Sequence, residues 1–162
     1  EQARVELGAY DQWRADERSL DAVRREEDLS RAVRLLEKAV SEDPAQVTAQ
    51  QRLAEIQLAR AEYSEGLGAT EALWAAGNRD SVTRLLYGDA LVAHGRTEQA
   101  VDVVRGVPWA AFRLLGQMWV RYYANSDWER ALDAGQAVLL LEPGHEDALL
   151  GIRLVEQRLS SQ

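Results

Sequence analysis

Arg31–Pro44 reads RAVRLLEKAVSEDP, and Arg130–Pro143 reads RALDAGQAVLLLEP. In the first, Leu36 and Ala39 follow Ala32 at +4 and +7, and Pro44 stands at +12. In the second, Gly135, Val138 and Pro143 stand at the same offsets from Ala131. Spacings of four and seven put small or apolar residues on one face of a helix. A proline at the end stops that helix and suits the first turn of the next. Gly66 and Ala100 take the anchor position in between, so the steps are 34, 34 and 31 (32 to 66, 66 to 100, 100 to 131). A period near 34 predicts a helix–turn–helix unit stacked into a solenoid. The predicted helices cover about 3–26, 29–42, 45–61, 64–76, 81–94, 97–105, 108–124, 127–141 and 146–160.

Turn residues punctuate this pattern. Asp43 can cap the helix entered at Pro44, with Gln46 as its capping-box partner, and Ser126 with Glu129 forms a second box. Gly77 reads as a helix stop and Asp80 as the next cap. Gly106 and Pro108 cut the 97–105 helix short. Ala131 falls 15 residues after Gly116 instead of 12, so the 108–124 helix should be about one turn longer than its counterparts and the third stacking step should differ in angle. The last helix has no following partner and shields the end of the core, as a terminal element must.

The recurring unit resembles the tetratricopeptide repeat family, which pairs a helix A bearing W-x2-L-G-x2-Y with a helix B bearing A-x3-F-x2-A and a terminal Pro. Phe112-x2-Leu115-Gly116-x2-Trp119 is the best helix A match. Tyr87-Gly88-x2-Leu91 follows, with Arg84 where an aromatic is usual, and then Leu53-Ala54 with Gln57. The two stretches quoted above are the best helix B matches. The resemblance runs from about Asp28 to Leu159 and implies an all-α, right-handed solenoid of about four helix pairs plus a C-terminal capping helix. It also implies one domain over 1–162, with a long first helix that fits helix A poorly. The family's concave groove is lined by fixed positions of helix A. Carried onto this chain, these are Gln51, Glu55 and Leu58, then Leu85, Asp89 and Val92, then Arg113, Gln117 and Val120. A subset of the family clamps a terminal carboxylate with Lys and Asn. Here the matching positions hold Gln51, Glu55, Leu85 and Asp89, so that ligand is set aside.

Composition narrows the function. The chain has 162 residues, a formal net charge of −8, 18 Arg but one Lys (Lys38), and no Cys. Net acidity argues against nucleic acid, whose binding draws on Lys and Arg. Without Cys there is no disulfide frame, thiol nucleophile or thiolate metal site. No segment approaches the ~20 apolar residues of a membrane span. The chain does not begin with Met and reads as a processed chain or a segment of a longer one. The compartment is left open between cytoplasm and periplasm.

Catalytic sets are absent from the pattern. His94 ends a helix before Gly95, where a positive charge suits the dipole. His145-Glu146-Asp147 reads as a helix start, since adjacent residues do not face one another on a helix. GLGATEAL at Gly66–Leu73 lies inside a helix and lacks the lysine of a phosphate loop, so Gly66 and Gly68 read as packing residues. Trp74, Trp109, Trp119 and Trp128 are expected to pack inside, and Trp13 is the best candidate for an exposed aromatic. The expectation is a non-catalytic scaffold, with neither cofactor nor metal, that binds a protein or peptide in its groove. The alternative is a repeat segment of a larger bacterial secretion, pilus or exopolysaccharide-export assembly. Self-association is a further expectation.

Overall fold

The computed structural model describes residues 22–162. Most of the helix expected from residue 3, and Trp13, the candidate exposed aromatic, lie outside the described residues. From Ala22 the chain forms α1 (Ala22–Glu42), α2 (Val47–Ala59), α3 (Tyr63–Ala75), α4 (Ser81–Ala93) and α5 (Thr97–Val104). It continues through α6 (Ala110–Gly116), which passes directly into a π-helical segment (Gln117–Tyr123), then α7 (Trp128–Leu141) and α8 (Glu146–Ser160). There is no strand among the described residues. The architecture is the expected all-α helical-repeat solenoid. Its hairpins pair α2 with α3, α4 with α5 and α6 with α7, and α8 closes the end against α7 and the π segment. In each hairpin the first member is helix A and the second helix B.

The expected break near residues 27–28 does not occur. Residues 22–42 form one helix, because no Gly or Pro interrupts them. Helix α2 starts at Val47, not 45: Asp43 accepts from the Ala45 N–H in a local turn, and Gln46 flanks the helix with no side-chain cap. The Ser126–Glu129 box is also absent. Ser126 has φ 58°, and Asp127 is the capping residue, accepting from the Arg130 N–H. Asp80 caps α4 as expected, through the Thr83 N–H at 2.8 Å.

The repeat is written most plainly in the backbone between helices A and B. Glu62 N–H donates to Gln57 O, Arg96 N–H to Leu91 O, and Asp127 N–H to Tyr122 O, at 2.8, 2.9 and 2.9 Å. The residue before each donor has positive φ: Ala61 59°, Gly95 71°, Ser126 58°. These are three copies of one Schellman turn, satisfying carbonyls that the helix end leaves over. They fall 34 and 31 residues apart, the steps read from the anchors.

Each hairpin crosses where a side chain is missing or minimal. A Cβ on Gly66 would meet Leu58 Cδ2 at 2.7 Å. A Cβ on Gly88 would collide with Val104 Cγ1, with the Ala100 carbonyl nearby. Ala100 and Ala131 are fully buried. Around these crossings sit Leu58, Leu73, Leu91, Leu114, Val138 and Tyr122, each at most 1% exposed. Burying one such aliphatic side chain contributes about 1.5–3 kcal/mol.

The third hairpin departs from its expectation. Helix α6 and the π segment span seven residues each, against 13 for α4, so the element is one residue longer, not one turn. The π geometry absorbs the extra residue. Gly116 is exposed, and a Cβ there would meet nothing within 4 Å. The crossing residue is Met118, fully buried against Gly135 of α7 and Gly151 of α8. The buried face of this element is Ala111, Leu114, Met118 and Tyr122, at steps of three, four and four. The later steps of four fit a helix wound more loosely than α. Gly68 is likewise exposed with no neighbour for a Cβ, so it takes no part in packing.

Two glycine substitutions should therefore act in opposite directions. Gly88→Ala should lower stability by about 1–3 kcal/mol by overpacking against Val104. Gly116→Ala should raise it by about 0.5–1 kcal/mol, the helix-propensity gain at an open position. Chemical denaturation of both variants checks the assignment.

Candidate binding surface on the A helices

The A helices are tied to one another by polar contacts. Gln51 of α2 donates through Nε2 to both carboxylate oxygens of Asp80, at 3.0 and 3.1 Å, and to Thr83 Oγ1 at 3.0 Å. Arg113 of α6 reaches back to Asp89 of α4, donating from Nη2 at 2.8 Å and Nε at 3.1 Å to the single oxygen Oδ2. Within α2, Glu55 pairs with Arg52 at 3.0 Å. The Gln51 and Arg113 contacts join successive A helices along the stack.

Asp89 is the most perturbed of these groups. Its side chain is 1% exposed, and its Oδ1 accepts no hydrogen bond from the described residues. Burial raises its pKa above the ordinary 3.8; Arg113 and Arg121 pull it back, and Glu55 adds to the rise. Burial likewise pushes the Tyr122 hydroxyl well above its ordinary value. The predicted residues thus separate. Asp89, Arg113 and Glu55 come together. Leu58 and Val92, at 1% exposure, belong to the core and line no surface, and Asp89 is buried to the same degree. They sit on the side of their helices that packs, Leu58 over Gly66, and this overrides their groove assignment. Gln51 and Leu85 are half-buried, Gln51 being engaged by Asp80. Gln117 is half-buried in the π segment, and Val120 is 77% exposed.

Besides Val120, exposed apolar side chains include ones that the family register assigned elsewhere or passed over. Phe112, aligned as a packing aromatic, is 72% exposed. Phe112, Gly116 and Val120 recur at steps of four opposite the buried face of α6 and its π extension. Val82 of α4 is 51% exposed, and Leu150 of α8 is partly open too. The signal that would have found Phe112 is its place one residue after Ala111. Once Ala111, Leu114 and Met118 are taken as the core stripe, Phe112 has to point out.

The tryptophans also divide. Trp74 packs on Tyr87 with ring centroids 5.3 Å apart, Trp119 on Tyr123 at 5.0 Å, and Trp128 on Tyr123 at 5.2 Å, as expected of packing residues. Trp109 does not pack and is 80% exposed. The histidines have structural partners. His94 Nε2 lies 3.0 Å from Tyr63 O, and His145 Nδ1 accepts from the Ala148 N–H in capping α8. Among the described residues no group of His, Cys, Asp and Glu is arranged to hold a metal ion. No helix among them is long and apolar enough to cross a membrane.

Comparison with known proteins agrees with this geometry. Residues 23–82 match the family model of the tetratricopeptide repeat. No curated protein and no solved structure gives a significant match. The matched stretch covers α1, α2 and α3, and α4 through α8 continue the same alternation of A and B helices.

Removing Arg113 would leave Asp89 buried without its ion-pair partner. Arg113→Met should destabilise the fold by about 2–3 kcal/mol at pH 7, the lower end for a broken buried pair because Arg113 is itself partly exposed. The folded chain would then hold the Asp89 proton more tightly than the unfolded chain does, so stability falls as pH rises above the ordinary carboxylate range. The loss should accordingly be smaller at pH 4 than at pH 7, as thermal unfolding at the two pH values would show.

Proposed function

We propose that this chain is a non-catalytic scaffold that holds a protein or peptide segment against the exposed face of its A helices. Tetratricopeptide repeats generally mediate protein–protein interaction. The observation that carries the reading is the pair Phe112 and Val120, 72% and 77% exposed on one face of one element, with Gly116 open between them. Large apolar side chains held out in a row are a site to be covered, not a solvated surface. Gly116 leaves a notch into which a partner's aliphatic side chain can descend. Glu55, Gln117 and the partly exposed Arg113 supply polar contacts beside the apolar strip, which would fix orientation and make binding salt-sensitive. A helix or extended peptide with apolar anchors every turn suits this surface.

A second reading keeps the fold and assigns it to a larger bacterial secretion, pilus or exopolysaccharide-export assembly. It places a contact on α8, where Leu149 and Leu150 are 43% and 46% exposed. Self-association through that same end would appear as concentration-dependent light scattering.

Phe112→Glu and Val120→Glu should leave the melting temperature within a few degrees of the parent. Each should weaken partner affinity by about tenfold or more. Val92→Glu should instead unfold the core and makes a poor groove control. If both exposed-face variants retain every partner captured by the parent protein, the face assignment is wrong.

A further inference from the structure

The link between α5 and α6 holds a feature that the groove does not use. Val107 O accepts from the Ala110 N–H, closing a turn with Pro108 and Trp109 at its centre. Trp109 has φ 65° and ψ 13°. Proline cannot take positive φ, so the turn is type II, and Trp109 occupies the position that ordinarily requires Gly. A left-handed conformation is unfavourable for a bulky residue. Here it is not offset by burial, because the indole is 80% exposed. The strained turn holds the ring out from the surface.

Beside it is a cavity of about 360 Å³, lined by Trp109, Phe112, Ala111, Leu141, Glu142 and His145 among others. Two open aromatic faces and one carboxylate share this space. The Glu142 side chain is 61% exposed, and the His145 ring lies 4.0 Å from it. The C-terminal ends of α5 and α7 and the N-terminal ends of α6 and α8 all meet here, so their dipoles largely offset. The sign of the local field is then set by side chains. Glu142, Glu146 and Asp147 are exposed carboxylates within six residues of one another, while the nearby Arg105 is paired with Asp102 and Arg113 with Asp89.

We propose that Trp109, Phe112 and Glu142 form a pocket that captures a cationic side chain, arginine or lysine, presented by a partner protein. An aromatic face attracts a cation through its quadrupole, and an adjacent carboxylate adds a direct charge contact. The cavity has room for one long side chain. The excess of acid around it repels carboxylates and phosphates. This site lies at the edge of the A-helix surface and shares Phe112 with it, but Trp109 and Glu142 lie outside that surface.

The probes are N-acetyl-arginine amide and N-acetyl-lysine amide, titrated into the isotope-labelled protein and followed by amide and indole NMR. The neutral citrulline and norleucine amides serve as controls. The cationic probes should shift the Trp109 indole resonance and the amides of Phe112 and Glu142 saturably in the millimolar range, and the neutral ones should not. Comparing the two cations tells guanidinium from ammonium preference. Trp109→Gly suits the turn and should melt no lower than the parent, yet weaken binding by about fivefold or more. Glu142→Gln should do likewise. The proposal is overturned if the neutral amides bind as well as the cationic ones. It is also overturned if neither cation shifts Trp109, or if Glu142→Gln leaves the affinity unchanged. Since the probes are single amino acids and the variants spare Val120 and Phe112, either outcome is independent of the partner-capture result for the A-helix face.

Discussion

Each of the three described hairpins depends on one constraint: where two helices cross closely, only one of them can bring a large side chain. In the first, Gly66 on the B helix lies beneath Leu58 on the A helix. In the second the roles reverse, with Gly88 on the A helix meeting Val104 on the B helix. In the third, Met118 on the A helix fills space left by Gly135 and Gly151. What stays constant is the combined volume at the crossing, not the residue at a given position. Close packing makes that volume a strict requirement, because an interior at crystal-like density has no room for an additional methyl group.

The surface properties follow from the same crossings. Placing Met118 between two glycines needs a face of the helix that recurs at steps of four, and the π segment Gln117–Tyr123 provides it. That loosened winding turns Tyr122 inward with Met118 and leaves Phe112, Gly116 and Val120 in line on the opposite side. An adjustment that serves the core therefore also sets the exposed apolar row. The Asp89–Arg113 pair lies across the α4–α6 step, between the regular hairpin and the adjusted one. A buried carboxylate of this kind is poor evidence for stability in itself. Its evident effect is to tie two successive A helices together.

Strain and exposure are concentrated at the α5–α6 link. There α5 ends after eight residues, Gly106 turns the chain at φ 82°, and Trp109 stands in a left-handed conformation. At Ala61 and Ser126 the same conformation belongs to a Schellman turn whose hydrogen bonds offset it. At Trp109 a smaller or more flexible residue would satisfy the turn better. The energetic cost is borne by a side chain that contributes nothing to the core, and this sets it apart from Trp74, Trp119 and Trp128.

The helical order, the pairing and the period were all legible in the chain. Apolar spacings of four and seven, the anchors Ala32, Gly66, Ala100 and Ala131, and the stops at Gly77, Gly95 and Gly106 are local signals, and the helices end within about two residues of where those signals put them in all but the first case. The surface was legible only in part. Of the residues a family register put in the groove, Val120 is exposed and Arg113 partly so, but Leu58, Val92 and Asp89 are buried, while Phe112 and Trp109 came out of the core. Sequence spacing specifies which residues share a helical face. It does not specify the winding of that face when an extra residue must be absorbed, nor which of two crossing helices brings the bulk. Those are settled by the fit of one helix against the next, and only the folded chain holds that information.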